Sequence, residues 1–127
     1  MAAKEVEEFA QLLIKHVRDR AVATGEISLS PRSTSATALR WRRRLQAGEV
    51  TELLTEAIAD CVDDALFFLL NAIDQGLLKI SFTASSGRTV NLTELGDGEM
   101  SGWYMATQGW RSQYSEERFN DDFADLV

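Results

Sequence analysis

Apolar positions recur with a helical period through the first 75 residues and with a period of two just beyond them. Val6, Phe9, Ala10, Leu13, Val17 and Ala21 follow the i, i+3/i+4, i+7 spacing of a buried stripe. This predicts a first helix over residues 4–23, with Gly25 placed to stop it. Ser28 to Thr37 holds six Ser/Thr residues and Pro31 and reads as a loop. A second helix follows over 36–47, capped by Ser35 or Thr34, and Gly48 parts it from a third over 49–75. That third helix contains no Gly or Pro, and its broad apolar face carries Leu54, Ala57, Ile58, Cys61, Ala65, Phe68, Leu69, Ala72 and Ile73. From Ala65 onward, Leu66, Phe67 and Leu70 add apolar groups elsewhere around the cylinder, which predicts the centre of the core in its C-terminal half. Gly76 is the expected left-handed stop.

Beyond it, Leu78, Ile80 and Phe82 alternate with polar residues, as do Val90 and Leu92, across the loop Ala84-Ser-Ser-Gly87. The pattern predicts a β-hairpin of strands 78–83 and 88–92. Periodicity does not decide between strand and helix for residues 100–108. Ser115 followed by Glu116 and Glu117 suits a helix start, which predicts a short last helix over 116–125. The expected fold class is α+β and mainly helical: three N-terminal helices, a hairpin and a short C-terminal helix, in a single globular domain over residues 1–127.

Composition narrows the class without naming an activity. At 127 residues and 14.2 kDa, with 45% hydrophobic residues and one proline, the chain is unlike a disordered, collagen-like or disulfide-scaffold sequence. The start, Met-Ala-Ala-Lys-Glu-Val-Glu-Glu, lacks the pattern of a secretory signal. The longest apolar run, Ala65 to Leu70, is far short of the ~20 residues needed to span a bilayer. The expectation is a cytoplasmic protein. Cys61 has no second cysteine to pair with and is expected to be a small buried hydrophobe.

Charge changes the picture most. Residues 1–44 carry nine Lys/Arg against five Asp/Glu, whereas residues 45–127 carry four against fifteen, for −7 overall. On a helical wheel with Asp60 at zero, Glu49, Glu52, Glu56, Asp63, Asp64 and Asp74 all fall between about 280° and 40°. No basic residue lies between Glu49 and Asp74 to relieve the i, i+4 repulsion. A solvated face explains the row most simply. It could also steer a basic protein partner, hold a divalent metal such as Mg²⁺, or neutralise the arginines of the second helix.

The basic cluster Arg40-Trp-Arg-Arg-Arg44 pairs cations with an aromatic, as nucleic-acid binders do, although the overall acidity argues against such a partner. For a metal, Glu5 and Glu8 on the first helix would join Asp60, Asp63 and Asp64. That arrangement loosely resembles the ExxE…ExxD pattern of all-helical nucleotide pyrophosphohydrolases, and the resemblance implies a metal-dependent hydrolase acting on a nucleotide or phosphate ester. The chain departs from the pattern in its few acidic doublets, their long spacing, its hairpin and its aromatic tail.

Six of the eleven aromatics, Trp103, Tyr104, Trp110, Tyr114, Phe119 and Phe123, lie in the last quarter of the chain beside Arg111 and Arg118. They are either binding anchors or a secondary core. Gly102-Trp103 and Gly109-Trp110 suggest close backbone approach at both glycines. His16 stands alone, and no G-x-S-x-G, P-loop, H-E-x-x-H or C-x-x-C occurs.

The leading expectation is a small acidic interaction protein holding a basic protein partner, like bacterial immunity or antitoxin proteins in size and charge. Glu52, Glu56, Asp60, Asp63, Asp64 and Asp74 would steer the partner, and Trp103, Tyr104, Trp110 and Arg111 would anchor it. The alternatives are the metal-dependent hydrolase and a nucleic-acid binder working through Arg40–Arg44.

Overall fold

The computed structural model describes Glu8, Gln11 and residues 14–123. A single π-helical turn, Ile14–Arg18, leads into α1 (Asp19–Leu29). Helices α2 (Ala36–Gln46) and α3 (Val50–Asp74) follow, then strands β1 (Ser81–Thr83) and β2 (Thr89–Asn91). Three short helices close the described chain: α4 (Leu92–Leu95), α5 (Met100–Met105) and α6 (Trp110–Tyr114). The fold is α+β and mainly helical, with one antiparallel hairpin, as the sequence pattern implies.

The 25-residue α3 is the axle. The π-turn, α1, α2, α4 and α5 all pack on it. Ser35 caps α2 by accepting a hydrogen bond from the Ala38 amide at 3.1 Å. Gly76, at φ +74°, turns the chain out of α3 in the left-handed conformation that a Cβ disfavours. The core gathers at the C-terminal half of α3, where Ala72 and Ile73 are buried with Val17, Leu78 and Met100. Phe68, Leu69, Ile80 and Trp110 pack against this cluster.

Several boundaries move. The first helix does not stop at Gly25: α1 runs through it to Leu29, and Ser30 and Pro31 end it. Glycine inside a helix costs about 1 kcal/mol relative to alanine, which its neighbours outweigh here. The predicted span 4–13 lies outside the described residues apart from Glu8 and Gln11. The strands shrink to three residues each, in the register Ser81↔Asn91, Phe82↔Val90 and Thr83↔Thr89. Residues 100–105 are helical.

The helix predicted over 116–125 is absent from residues 116–123, and residues 124–127 lie outside the described part. The Ser115 hydroxyl accepts from the Glu117 amide at 3.1 Å and donates to the Glu117 carbonyl, a turn two residues long rather than a helix cap. Among the described residues, no helix is long and apolar enough to cross a membrane.

Of the two Gly-Trp pairs, one marks a close approach. A Cβ on Gly109 would sit 2.0 Å from the Trp103 carbonyl oxygen, whereas one on Gly102 would meet nothing within 4 Å. Gly109 has φ −90°, open to any residue, so the constraint is steric. Gly109→Ala is expected to destabilise the protein by about 2 kcal/mol or more in urea unfolding, and Gly102→Ala to stay within about 1 kcal/mol of wild type.

Candidate functional site

Arg40 lies on the face of α2 that meets α3, one turn before Arg44, and Glu56 and Asp60 stand one turn apart on α3. This matched i, i+4 spacing brings two cations against two carboxylates. Arg40 grips Asp60 with two parallel bonds, Nη1 to Oδ2 at 2.8 Å and Nη2 to Oδ1 at 3.0 Å. It also donates to Glu56 at 3.2 Å, and through Nε and Nη2 to Asp122 at 3.1 and 3.2 Å. Asp60 accepts two further bonds, from Trp41 Nε1 at 2.6 Å and Asn120 Nδ2 at 3.0 Å. Arg44 completes the row by bonding Glu56 at 2.9–3.0 Å and Glu49.

A second node lies one turn further along α3. Asp63 accepts from Arg111 Nη1 at 2.7 Å and from the Tyr104 hydroxyl at 2.6 Å. Arg111 is 5% exposed, donates to the Met105 carbonyl at 3.1 Å and lies over the Phe119 ring at 4.8 Å. It also lies 5.7 Å from the centroid of the Tyr104 ring. Asp74, near the end of α3, accepts from the Met100 and Ser101 amides at 3.1 and 2.9 Å and so holds the start of α5.

These contacts set the protonation states. Burial acts to lower the pKa of Arg40, but its hydrogen bonds and proximity to Asp60 and Asp122 outweigh that and raise it. Hydrogen bonds to Glu56 and Glu49 raise that of Arg44. Desolvation and the hydrogen bond to Asp63 raise the pKa of Tyr104, so its hydroxyl stays a donor. Asp64 has no cation among the described residues, and burial together with Asp60 and Asp63 pushes its carboxyl up to about 6. Burial, Asp64 and Asp60 raise the Cys61 thiol, leaving it a poor nucleophile at neutral pH although it is exposed.

The structure thus corrects the expectation that the acidic row stands open to water. Asp60 and Asp63 are buried, and Glu56 is partly buried and bonded to arginine. Of the ten candidate partner-binding residues, Glu56, Asp60, Asp63, Asp74, Tyr104 and Arg111 are engaged inside the molecule. Glu52 and Trp103 are exposed, and Asp64 and Trp110 are partly buried. Cys61 is exposed rather than buried, as are Leu54 and Ile58 from the expected apolar face.

For the metal reading, Asp60 and Asp63 have their oxygens occupied by guanidinium, indole, amide and hydroxyl donors. Glu8 is exposed and Glu5 lies outside the described residues. Among the described residues, no three metal-capable side chains converge. In the basic cluster, Arg40 and Arg44 are paired, and Arg42 donates to the Ser30 and Ser33 carbonyls at 3.2 and 2.9 Å. Only Arg43 of the four shows no such acceptor among the described residues.

Sequence reasoning missed Thr37, Asn120 and Asp122. Thr37 donates to Asp122 at 3.2 Å, and Asn120 also bonds the Glu56 carbonyl at 3.1 Å. Polar residues in a tail give no periodic signal by which their partners could be found. Comparison with protein-family models, curated proteins and solved structures finds no match for the chain.

Two outcomes follow from this geometry. Removing one member of a buried ion pair strands the other, so Asp60→Asn is expected to cost about 3 kcal/mol in urea unfolding, whereas Glu52→Gln stays within about 0.5 kcal/mol. Asp64 makes stability depend on pH. Its folded pKa is above its unfolded value, so the folded state holds more protons between about pH 4 and 6 and stability falls as pH rises through that window. Asp64→Asn is expected to gain about 1 kcal/mol at pH 7, after allowing for its partial exposure, and to match wild type near pH 3.

Proposed function

We propose that this chain is a small acidic cytoplasmic interaction protein that holds a basic protein partner, in the manner of a bacterial immunity or antitoxin protein. The observation that carries the reading is where the unpaired charge lies. The arginines facing α3 and the carboxylates they bond cancel one another, so the field outside the molecule comes from the charges left over. Glu94, Asp97, Glu99, Glu116 and Glu117 are all exposed, and in sequence they bracket the aromatic segment of α5 and α6. Within that segment Trp103 and Tyr114 are 41% and 74% exposed.

A net charge of −7 steers a cationic surface toward the domain, and exposed rings supply contact area once it arrives. Trp103 and Trp110 lie with ring centroids 6.3 Å apart in a tilted pair, so the exposed Trp103 ring is backed by Trp110, which packs on the core. Arg111 and Tyr104 serve this surface from behind, because the Asp63 node fixes α5 and α6 against α3. Glu52, Asp64 and Asp74 are the members of the α3 row without a cationic partner among the described residues, and Asp74 is held by backbone amides instead. Phosphate recognition by Arg40–Arg44 is less favoured, since two of its four guanidinium groups are already paired to carboxylates.

Polylysine, titrated by tryptophan fluorescence at two salt concentrations, tests the reading. Affinity is expected to fall about tenfold between roughly 50 and 200 mM salt. Trp103→Ala and the pair Glu116→Gln with Glu117→Gln should each weaken it further. Binding indifferent to salt and to both variants would overturn the proposal.

A further inference from the structure

We infer that the outward face of α3 is a twofold interface for a second copy of this chain. Leu54, Ile58, Val62 and Leu66 form one i, i+4 ridge and are 58%, 68%, 53% and 40% exposed. On the helical wheel this ridge lies opposite Asp60, and no charged residue of α3 falls within about 60° of its centre. Thr51 and Thr55 continue it without leaving the Thr55 donor unmet, because that hydroxyl bonds the Thr51 carbonyl at 2.9 Å.

Two features select a second copy over a basic partner. The first is charge. A cationic surface gains little from the uncharged ridge, and the charged groups in its flanking grooves come in both signs, Arg18 with Glu26 and Glu117 with Arg118, so two acidic chains meet there with the least local repulsion. The second is the order of side chains, leucine outside and β-branched inside. An antiparallel partner related by a twofold axis at residue 60 sets Leu54 against Leu66 and Ile58 against Val62 in every layer, as an isologous interface requires.

Grooves flank the ridge on both sides and would receive the neighbouring side chains of the other copy. One, of about 800 Å³, is lined by Val22, Leu29, Leu53 and Ala57. The other, of about 580 Å³, is lined by Ala59, Tyr114 and Phe119. The strip from Thr51 to Leu66 is about 22 Å long, and with its grooves it offers on the order of 600 Å² per copy, the lower end for a specific pair.

Cys61 supplies the readout. It is exposed and one residue from the proposed axis, so two copies would carry it on the same flank, offset by about 3 Å along the helices. At about 100 µM the chain is expected to show a two-chain mass by light scattering, and a short bismaleimide, applied at alkaline pH where more of the raised Cys61 thiol is ionised, should link Cys61 to Cys61. Ile58→Asp, or Val62→Lys as a second variant, is expected to raise the dissociation constant about tenfold or more. Either should abolish the cross-link while leaving the far-ultraviolet circular dichroism unchanged. A one-chain mass at that concentration, or cross-linking that survives both variants, would overturn the inference. Tyr114 and Glu117 stand at both surfaces, but Trp103 lines neither groove, so Trp103→Ala should weaken polylysine binding and leave self-association untouched, which lets the two readings fail separately.

Discussion

The bidentate bond between Arg40 and Asp60 is the constraint on which the rest of the structure depends. A carboxylate buried in the middle of a helix must be met by a cation with its remaining oxygen capacity filled, because an unpaired buried charge is too costly to keep. Nothing on α3 itself can meet that need. The cation therefore comes from α2, and its position fixes how α2 crosses α3. Trp41, the next residue along α2, then has its indole nitrogen within reach of the same carboxylate. Asn120 and Asp122 close the network from the far end of the chain, drawing the tail across both helices. The desolvation of such a pair offsets much of its Coulombic attraction, so its clearest effect is geometric. An apolar cluster would tolerate several crossings of α2 over α3, whereas a fork gripping two oxygens tolerates few.

The second consequence is an inversion of the long helix over its first four turns. Amphipathic helices turn apolar residues inward and charge outward. Here the charged arc of α3 faces α2, α5 and the tail, and the ridge from Leu54 to Leu66 faces out. Only beyond Ala65, where apolar residues surround the cylinder, does the ordinary arrangement return, with Ala72 and Ile73 buried beside Met100 and Leu78. The two halves are stabilised differently, one by a polar network and one by a small hydrophobic cluster. No large side chain is fully buried anywhere among the described residues.

The fold class, the limits of α2 and α3, the Gly76 stop and the location of the core were legible in the sequence, because each rests on local signals: period, cap and glycine. The hairpin was legible in position and too long in extent, since alternation continues past the residues that pair. The C-terminal helix was misread at Ser115. A serine followed by acids is compatible with a cap or with a tight turn, and the demand of Asp60 and Arg40 for Asn120 and Asp122 favours an extended tail. The acidic row was seen, and internal neutralisation by the second helix was one of the readings weighed. What a wheel cannot supply is which side of a helix its neighbours occupy. Both arcs of α3 are continuous, and only the pairing of Arg40, Arg44 and Arg111 decides that the charged one goes inside.

That decision also links the two surfaces left outside. A chain that spends Glu56, Asp60, Asp63 and Asp122 on its own arginines keeps its net charge but redistributes it, leaving a neutral strip along α3 and unpaired acids around the aromatic segment. Salt acts on these in opposite directions. Screening weakens the attraction of a cationic partner to the acids, and it weakens equally the repulsion between two copies that each carry −7. Raising ionic strength should therefore favour pairing through Leu54, Ile58, Val62 and Leu66 while disfavouring the basic partner. The two associations draw on different physics within one short chain, the first on apolar burial and the second on long-range charge.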